Sequence, residues 1–256
     1  TMIQKRGCIA DGRGSVLLCS MSISRGVIWR GCVPVLKILL DILLPARCMH
    51  CAASLRETAP LCLSCFRLVE SCRIPACELP GKTAEGRPVL AASYYRSGSP
   101  LRAVHRAAKY RQSEGCAQWL ARYMIRRVGL PHPVDACVPV PSHPARLMDR
   151  GLDIVQILAQ CWAEKLNSEL HTDLLTRSRL GSPQDALDRT DRLANVRSVF
   201  SAKTSSSHPL RLLLIDDVVT TGATLDACAG LLHEQGHTVH LAALALRREL
   251  FGPLQQ

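Results

Sequence analysis

The sequence predicts an α/β fold, a mostly parallel sheet with flanking helices, preceded by a small cysteine-rich module. Three observations point there. Apolar segments of strand length alternate with segments of helical period from residue 89 onward. One of those strands, Leu212 to Ile215, is apolar without interruption, as expected where both faces of a sheet are covered. Six of the 13 cysteines crowd between Cys48 and Cys77. The length of 256 residues suits one large domain with an appendage, because single cores stop growing at roughly 250–300 residues. With 47% hydrophobic and 21% charged residues, the composition excludes wholesale disorder, collagen and coiled coil. No apolar run approaches the roughly 20 residues that a bilayer demands, so no membrane span is expected.

Residues 1–32 mix Gly, Ser, Arg and Cys without period and are expected to form a poorly ordered leader. From Val33 to Leu44 the apolar positions crowd into about three helical turns, ended by Pro45. With Lys37 and Arg47 as its basic rim, this helix is expected to cover the cysteine module or the following domain rather than enter a membrane. Residues 33–77 thus read as one unit. The segment 78–88, rich in Gly, Pro and charge, reads as a linker, 89–248 as the α/β domain and 249–256 as a tail.

Within the α/β domain, Val89–Tyr95 reads as the first strand, followed by helices over Leu101–Tyr110 and Ala117–Val128. On the first helix, Arg102, Arg106 and Lys109 recur at spacings of four and three, which places them on one face. Asp135–Val140 is a short strand running into Pro141-Ser142-His143, and Leu152–Leu166 is a helix. Leu210–Ile215 is the continuous apolar strand, Leu225–Gln235 a helix ended by Gly236, and Thr238–Leu246 a further strand.

The net charge of +11 is local: residues 101–134 carry seven basic side chains against one acidic. A polyanionic partner and a solvated basic helix face both fit such a patch. Aromatic residues are only 4% of the chain, which argues against a stacking platform for single-stranded bases. Cys116, Cys137, Cys161 and Cys228 sit singly in apolar stretches and read as small buried hydrophobes. The cysteine usage suits a reducing compartment, so a cytoplasmic setting is the expectation.

Cys48-Met-His-Cys51 and Cys62-Leu-Ser-Cys65 form two C-x2-C pairs separated by ten residues. Each pair can present two thiolates from one tight turn, and two such turns complete a tetrahedron around zinc. In a segment with little core of its own, the metal supplies folding energy. A redox C-x-x-C would call for a preceding strand or a following helix. Four cysteine ligands leave no open position, so the expected zinc is structural.

The most informative segment is Leu212-Leu-Leu-Ile-Asp216-Asp217-Val-Val-Thr220-Thr221-Gly222-Ala223-Thr224. A buried strand delivers two carboxylates at its carboxyl end, where open α/β sheets bind ligands. The loop's amides, its threonine hydroxyls and the positive end of the following helix make a cradle for a phosphate. Gly222 is expected to let the backbone approach that phosphate closely. Two aspartates beside a phosphate would repel it, so sugar hydroxyls and a bridging Mg2+ are their natural partners. Neither G-x4-G-K-[ST] nor G-x-G-x-x-G occurs, which removes P-loop hydrolysis and the dinucleotide fingerprint.

This segment resembles the phosphoribosyl pyrophosphate motif of type I phosphoribosyltransferases. The resemblance implies that Asp216 and Asp217 hold the ribose hydroxyls, while Val218, Val219, Thr220, Thr221, Gly222, Ala223 and Thr224 wrap the 5′-phosphate. Together with the cysteine module, Ala108-Lys109-Tyr110, Val138-Pro-Val-Pro-Ser-His143, Arg150-Gly151, and Gln184 through Arg192 to Asn195-Val-Arg197, the chain looks like the ComF family over residues 33–248. That resemblance implies a role in natural transformation, with single-stranded DNA or DNA-uptake proteins as partners. Two departures stand out. Leu152-Asp153-Ile154 replaces an aromatic residue and Asn-Gln, and a second knuckle is reduced to Cys72 and Cys77, so one zinc is expected.

A transferase of this kind displaces pyrophosphate at the anomeric carbon, mainly by electrostatic positioning. Lys109, Arg146 and Arg150 are the candidate pyrophosphate contacts, with the Pro139–His143 loop beneath; for Lys109 and Arg146 a plain surface role is the alternative. His143 is a candidate acid or base, or simply an exposed loop histidine. The rival class is a protein that senses a phosphoribosyl ligand, or docks nucleic acid or a partner, without turnover.

Overall fold

The computed structural model describes residues 46–55, 59–74, 82–130, 133–144, 147, 151–178, 199–203 and 208–247, all within the compact unit Pro45–Gln256. The leader, the helix expected over 33–44, the tail 249–256, and Cys77, Arg146, Arg150, Gln184, Arg192 and Asn195 to Arg197 lie outside the described residues.

The centre is a five-stranded sheet in which every pairing is parallel. Its strands are β1 (Val89–Tyr95), β2 (Ala136–Pro139), β3 (Glu169–Leu170), β6 (Arg211–Val219) and β7 (Thr238–Arg247), in the order β1-β7-β6-β2-β3. A separate antiparallel pair joins β4 (Leu175–Arg177) to β5 (Phe200–Ala202). Leu212 to Ile215 and Leu241 to Leu246 are at most 2% exposed. Successive strand residues point to opposite faces, so both faces of the sheet are covered.

The covering helices form where capping residues meet apolar periodicity. Ser99 accepts the Arg102 amide at 3.3 Å and starts α2 (Pro100–Tyr110), with Pro100 in the first turn, where its missing N–H costs nothing. Ser113 accepts the Cys116 amide at 3.4 Å and starts α3 (Glu114–Arg127), three residues before the apolar pattern does. Asp153 accepts the amides of Val155 and Gln156 at 3.0 and 3.3 Å and starts α4 (Ile154–Leu166). That cap is the structural role of one residue in the Leu152-Asp153-Ile154 departure. Asn167 ends α4 in the left-handed region at φ 50°. α3 and α4 pack on each other and on the sheet through Leu120, Met124, Leu158 and Trp162, whereas α5 (Ala223–Glu234) packs on β6 and β7. Burying each large side chain stabilises the domain by roughly 1.5–3 kcal/mol.

Two differences from the sequence-based reading matter for function. β6 runs to Val219, not Ile215, so both aspartates lie inside the strand and are held by its ladder. The cysteine segment contains a helix of its own, α1 (Leu63–Glu70), which periodicity alone did not separate from the knuckle. This segment is also fastened to the sheet. The Cys72 carbonyl accepts both the Ser93 hydroxyl and the Tyr94 amide at 2.9 Å, and the Ile74 amide donates to the Ala92 carbonyl at 3.2 Å. Residues 72–74 therefore cover the outer edge of β1, and an ion pair between Glu70 and Arg127 ties α1 to α3. Of the scattered cysteines, Cys116, Cys137 and Cys228 are buried and Cys161 is half-buried.

Candidate functional site

Two clusters carry chemistry. In the first, the sulfurs of Cys48, Cys51, Cys62 and Cys65 all lie within 4.8 Å of one another, with Cys51 and Cys62 at 3.6 Å. Sulfurs about 2.3 Å from a tetrahedral ion stand about 3.8 Å apart, so this set fits a metal such as zinc. The first knuckle turns through Ala52 at φ 60° and is closed by the Cys48 amide on the Ala53 carbonyl at 2.8 Å. The second is the start of α1, and the Met49 amide joins the two by donating to the Pro60 carbonyl at 2.9 Å. Burial opposes ionisation of Cys48, but the backbone amides of Cys51, Cys62 and His50 bring its thiol down to about 6. Burial and the neighbouring sulfurs push Cys65 upward. His50 and Cys72 stand outside the four-sulfur cluster.

The second cluster is built on the end of β6. Asp217 is 7% exposed; its Oδ1 accepts the Val218 amide at 2.6 Å, and its Oδ2 faces His105 Nε2 at 3.1 Å and the Lys109 ammonium. Asp216 is half-buried and its Oδ1 accepts the Asp217 amide at 2.8 Å. Burial and the charge of Asp217 push Asp216 up to about 7. Burial works the same way on Asp217, but the His105 hydrogen bond and the Lys109 charge outweigh it and hold that carboxyl well below the usual range. Adjacent carboxyls in one environment are thereby split into an ionised member and one that retains a proton far more readily.

The segment after β6 behaves differently along its length. Val218 and Thr224 face the cavity beside the acidic pair, whereas Thr220 and Thr221 are exposed. The Thr221 hydroxyl accepts the Ala223 amide at 3.4 Å, at the start of α5. Gly222 adopts φ +79°, as its position in the turn requires. The structure shows a packing reason for a glycine here. A Cβ would stand 2.7 Å from Thr83 Cα and 2.9 Å from Thr83 Cβ, so the space is taken by the chain's own backbone. Thr83 belongs to a turn closed by its amide on the Arg87 carbonyl and by the Gly86 amide on its own carbonyl, both at 2.9 Å. That turn is latched onto buried Asp226 of α5, which accepts the Glu85 amide at 3.0 Å and Arg87 Nη1 at 2.9 Å. The back of the loop is thus braced by residues 82–88, inside the segment that composition marked as a linker.

Asp216, Asp217, Val218, Thr224, Lys109 and the Pro141–His143 loop line one cavity of roughly 180 Å³ at the carboxyl end of the sheet, joined by Arg177 of β4. Ser142 donates to Asp153 at 3.1 Å, which ties the loop after β2 to the cap of α4. Lys109, a candidate pyrophosphate contact in the sequence, lines the same cavity as the acidic pair and is paired there with Asp217. It does not share the environment of Arg102 and Arg106: those bind Ser97 and lie over the Tyr110 ring, while Lys109 turns inward beside His105. His105, Tyr95, Arg177 and the brace at Thr83, Arg87 and Asp226 were not singled out by the sequence. The available signal was that His105 precedes Lys109 by four residues, one turn along the same helix edge.

No family model matches the chain. It is 28% identical over 196 residues to the DNA utilization protein YhgH of Salmonella typhi, covering 74% of this chain and 85% of that protein. It is 27% identical over 197 residues to competence protein F of Haemophilus influenzae, covering 74% and 79%. With competence protein ComFC of Bacillus subtilis it shares 32% identity over 111 residues, 43% of each chain. Among solved structures, the adenine phosphoribosyltransferase of Trypanosoma brucei superposes with a TM-score of 0.34 at 14% identity, over 59% of this chain and 74% of that one. The chain is thus similar over about three quarters of its length to DNA utilization and competence proteins, and it joins a four-cysteine cluster to an α/β domain built on a parallel sheet.

Proposed function

We propose that the protein binds phosphoribosyl pyrophosphate together with Mg2+ and transfers the phosphoribosyl group to an acceptor, releasing pyrophosphate. The observation that carries this reading is the paired Asp216 and Asp217 at the carboxyl end of a buried parallel strand, opening directly into the Thr220–Thr224 turn and the start of α5. In the reaction the bond from the anomeric carbon to the pyrophosphate oxygen breaks, the leaving group departs with the electron pair, and the acceptor's lone pair forms the new bond. Lys109 and Arg177 supply positive charge around the leaving group, and the amides and hydroxyls of Val218 to Thr224 hold the 5′-phosphate. Arg150 belongs to the same proposal as a pyrophosphate contact. Mg2+ arriving with the ligand supplies further charge neutralisation. The four-cysteine cluster is read as a structural zinc site, and cysteines that serve a metal rather than disulfides fit a reducing, cytoplasmic setting.

A second reading is favoured by one observation: residues 101–134 carry a surplus of six positive charges. The relatives are named for DNA utilization and competence, so the same pocket would serve as a phosphoribosyl-ligand sensor while the basic helices dock single-stranded DNA or a DNA-uptake protein. A pyrophosphate-release assay over a panel of bases, amines and single-stranded DNA separates the two. Turnover with any acceptor supports the transferase. Calorimetric binding of phosphoribosyl pyrophosphate without release leaves the sensor, and absence of binding removes both.

A further inference from the structure

We propose that His105, pinned from behind by Tyr95, is a positioning residue for the acidic pair: it keeps Asp217 ionised and fixed, and leaves Asp216 as the principal acceptor for sugar hydroxyls. The proposal rests on the phosphoribosyl reading of the cavity and gives its two aspartates unequal tasks.

The chain of contacts has a direction. Tyr95 closes β1 and His105 sits on α2; the tyrosine oxygen is 2.9 Å from Nδ1, and the rings meet edge to face at 5.4 Å. His105 is 4% exposed, so its ring has no solvent alternative. An ionised carboxylate only accepts, which puts the proton of His105 on Nε2, 3.1 Å from Asp217 Oδ2. A neutral ring then offers Nδ1 as an acceptor, and the Tyr95 hydroxyl donates to it. Tyr95 thereby selects the tautomer that serves Asp217.

Counting acceptor positions divides the work. A carboxylate offers about four lone-pair sites. Among the described residues, Asp217 commits three of them, to the Val218 amide, to His105 and to Lys109, whereas Asp216 commits one, to the Asp217 amide. The two side-chain donors on Asp217 also differ. Lys109 is 23% exposed at the cavity wall, within reach of a ligand phosphate that competes for it. His105 is buried and held from behind. When an anionic ligand draws the ammonium away, His105 is the described side-chain contact that remains on Asp217, beside the Val218 amide.

The test compares ribose 5-phosphate with inorganic phosphate, because both use the loop but only the sugar uses the acidic pair. Affinities are measured for wild type, His105→Leu, His105→Gln and Tyr95→Phe, with melting temperature as a folding control. Losing a hydrogen bond to a charged group corresponds to about tenfold to a hundredfold in affinity. His105→Leu is therefore expected to weaken ribose 5-phosphate by about tenfold or more while inorganic phosphate binding stays within about twofold. His105→Gln, which keeps a donor near Nε2, is expected to recover most of the loss. Equal losses for both ligands, or none for the sugar, overturn the proposal. Nitrogen-15 shifts of the His105 ring in ligand-free protein provide an independent arm: the expected result is a neutral ring protonated at Nε2, disturbed in Tyr95→Phe, and a ring protonated at Nδ1 overturns the proposal. If wild type prefers ribose 5-phosphate no more than inorganic phosphate, the phosphoribosyl reading falls. The sugar-positioning role then falls with it, while the ring shifts still decide whether Tyr95 and His105 order Asp217.

Discussion

Between Arg47 and Ile74 the buried apolar residues are Cys48, Leu61, Cys65, Val69 and Ile74, two of them members of the sulfur cluster; from Val89 onward the sheet alone buries whole strands. The first region has little apolar burial to offset the entropy of ordering its chain, which is where a cation held by the four cysteines would contribute, while the second is held by its core. The four-cysteine cluster and the cavity at the end of β6 are therefore separable in principle. They meet through residues 72–74 on the edge of β1, whose last residue is Tyr95, and through α1, which pairs Glu70 with Arg127 and sets Phe66 edge-on to Trp119.

The largest perturbation of that contrast is loss of the metal, which contributes on the order of 10 kcal/mol in small zinc modules. Cys48→Ser or Cys62→Ser is expected to abolish about one equivalent of bound zinc and open residues 46–74 to proteolysis, while amides of β6 and β7 stay protected from exchange. Freshly purified, reduced protein that contains no metal would sink this half of the comparison. Gly222→Val strikes the other region. A side chain at φ +79° that also meets Thr83 backbone is expected to cost about 2–6 kcal/mol from strain and overpacking together. Thermal unfolding checks this, and adding Thr83→Gly should restore part of the loss; binding lost in Gly222→Val alone would report a displaced brace as much as a blocked phosphate. Arg87→Ala leaves buried Asp226 with the Glu85 amide as its remaining described partner and is expected to cost about 1.5–3 kcal/mol. If melting is unchanged, the brace is not a stabilising feature.

The smallest effect is a pH slope. Asp216 titrates at about 7 in the fold against an ordinary 3.8, so between those values the folded chain binds the extra proton. Its contribution to stability is complete below about pH 4 and declines as pH rises toward 7. Asp217 has the opposite sign: its depressed carboxyl contributes above its ordinary value of 3.8, and that contribution is lost as pH falls below it. Urea unfolding from pH 4 to 8 should show the decline in wild type and a flatter curve in Asp216→Asn; identical slopes would refute the split between the two acids.

The strands and helices of the sheet were legible because burial on two faces and capped amphipathic periods leave strong local patterns. Helix starts moved by up to three residues where Ser113 or Asp153 satisfied amides that the apolar pattern does not register. β3, β4 and β5 have two or three residues each, too few for any period to form. The aspartates and the C-x2-C pairs were legible since their chemistry lies within one short segment. His105 and Asp217 are 112 residues apart and Glu85 and Asp226 are 141 apart, so those partnerships exist only in three dimensions.

The sheet order sets a timetable for the chain as it leaves the ribosome. β1 is joined to the sheet by β7 alone. At about 5–20 residues per second, the roughly 140 residues between Tyr95 and Thr238 take about 7–30 s to make. Throughout that interval the inner edge of β1 has no strand beside it, and for most of it the turn at Thr83 has no α5 to grip. A nascent chain stalled before β7 would carry every cysteine of the cluster and both aspartates, yet expose a bare strand edge, which makes the last strand the point at which chaperone dependence should end.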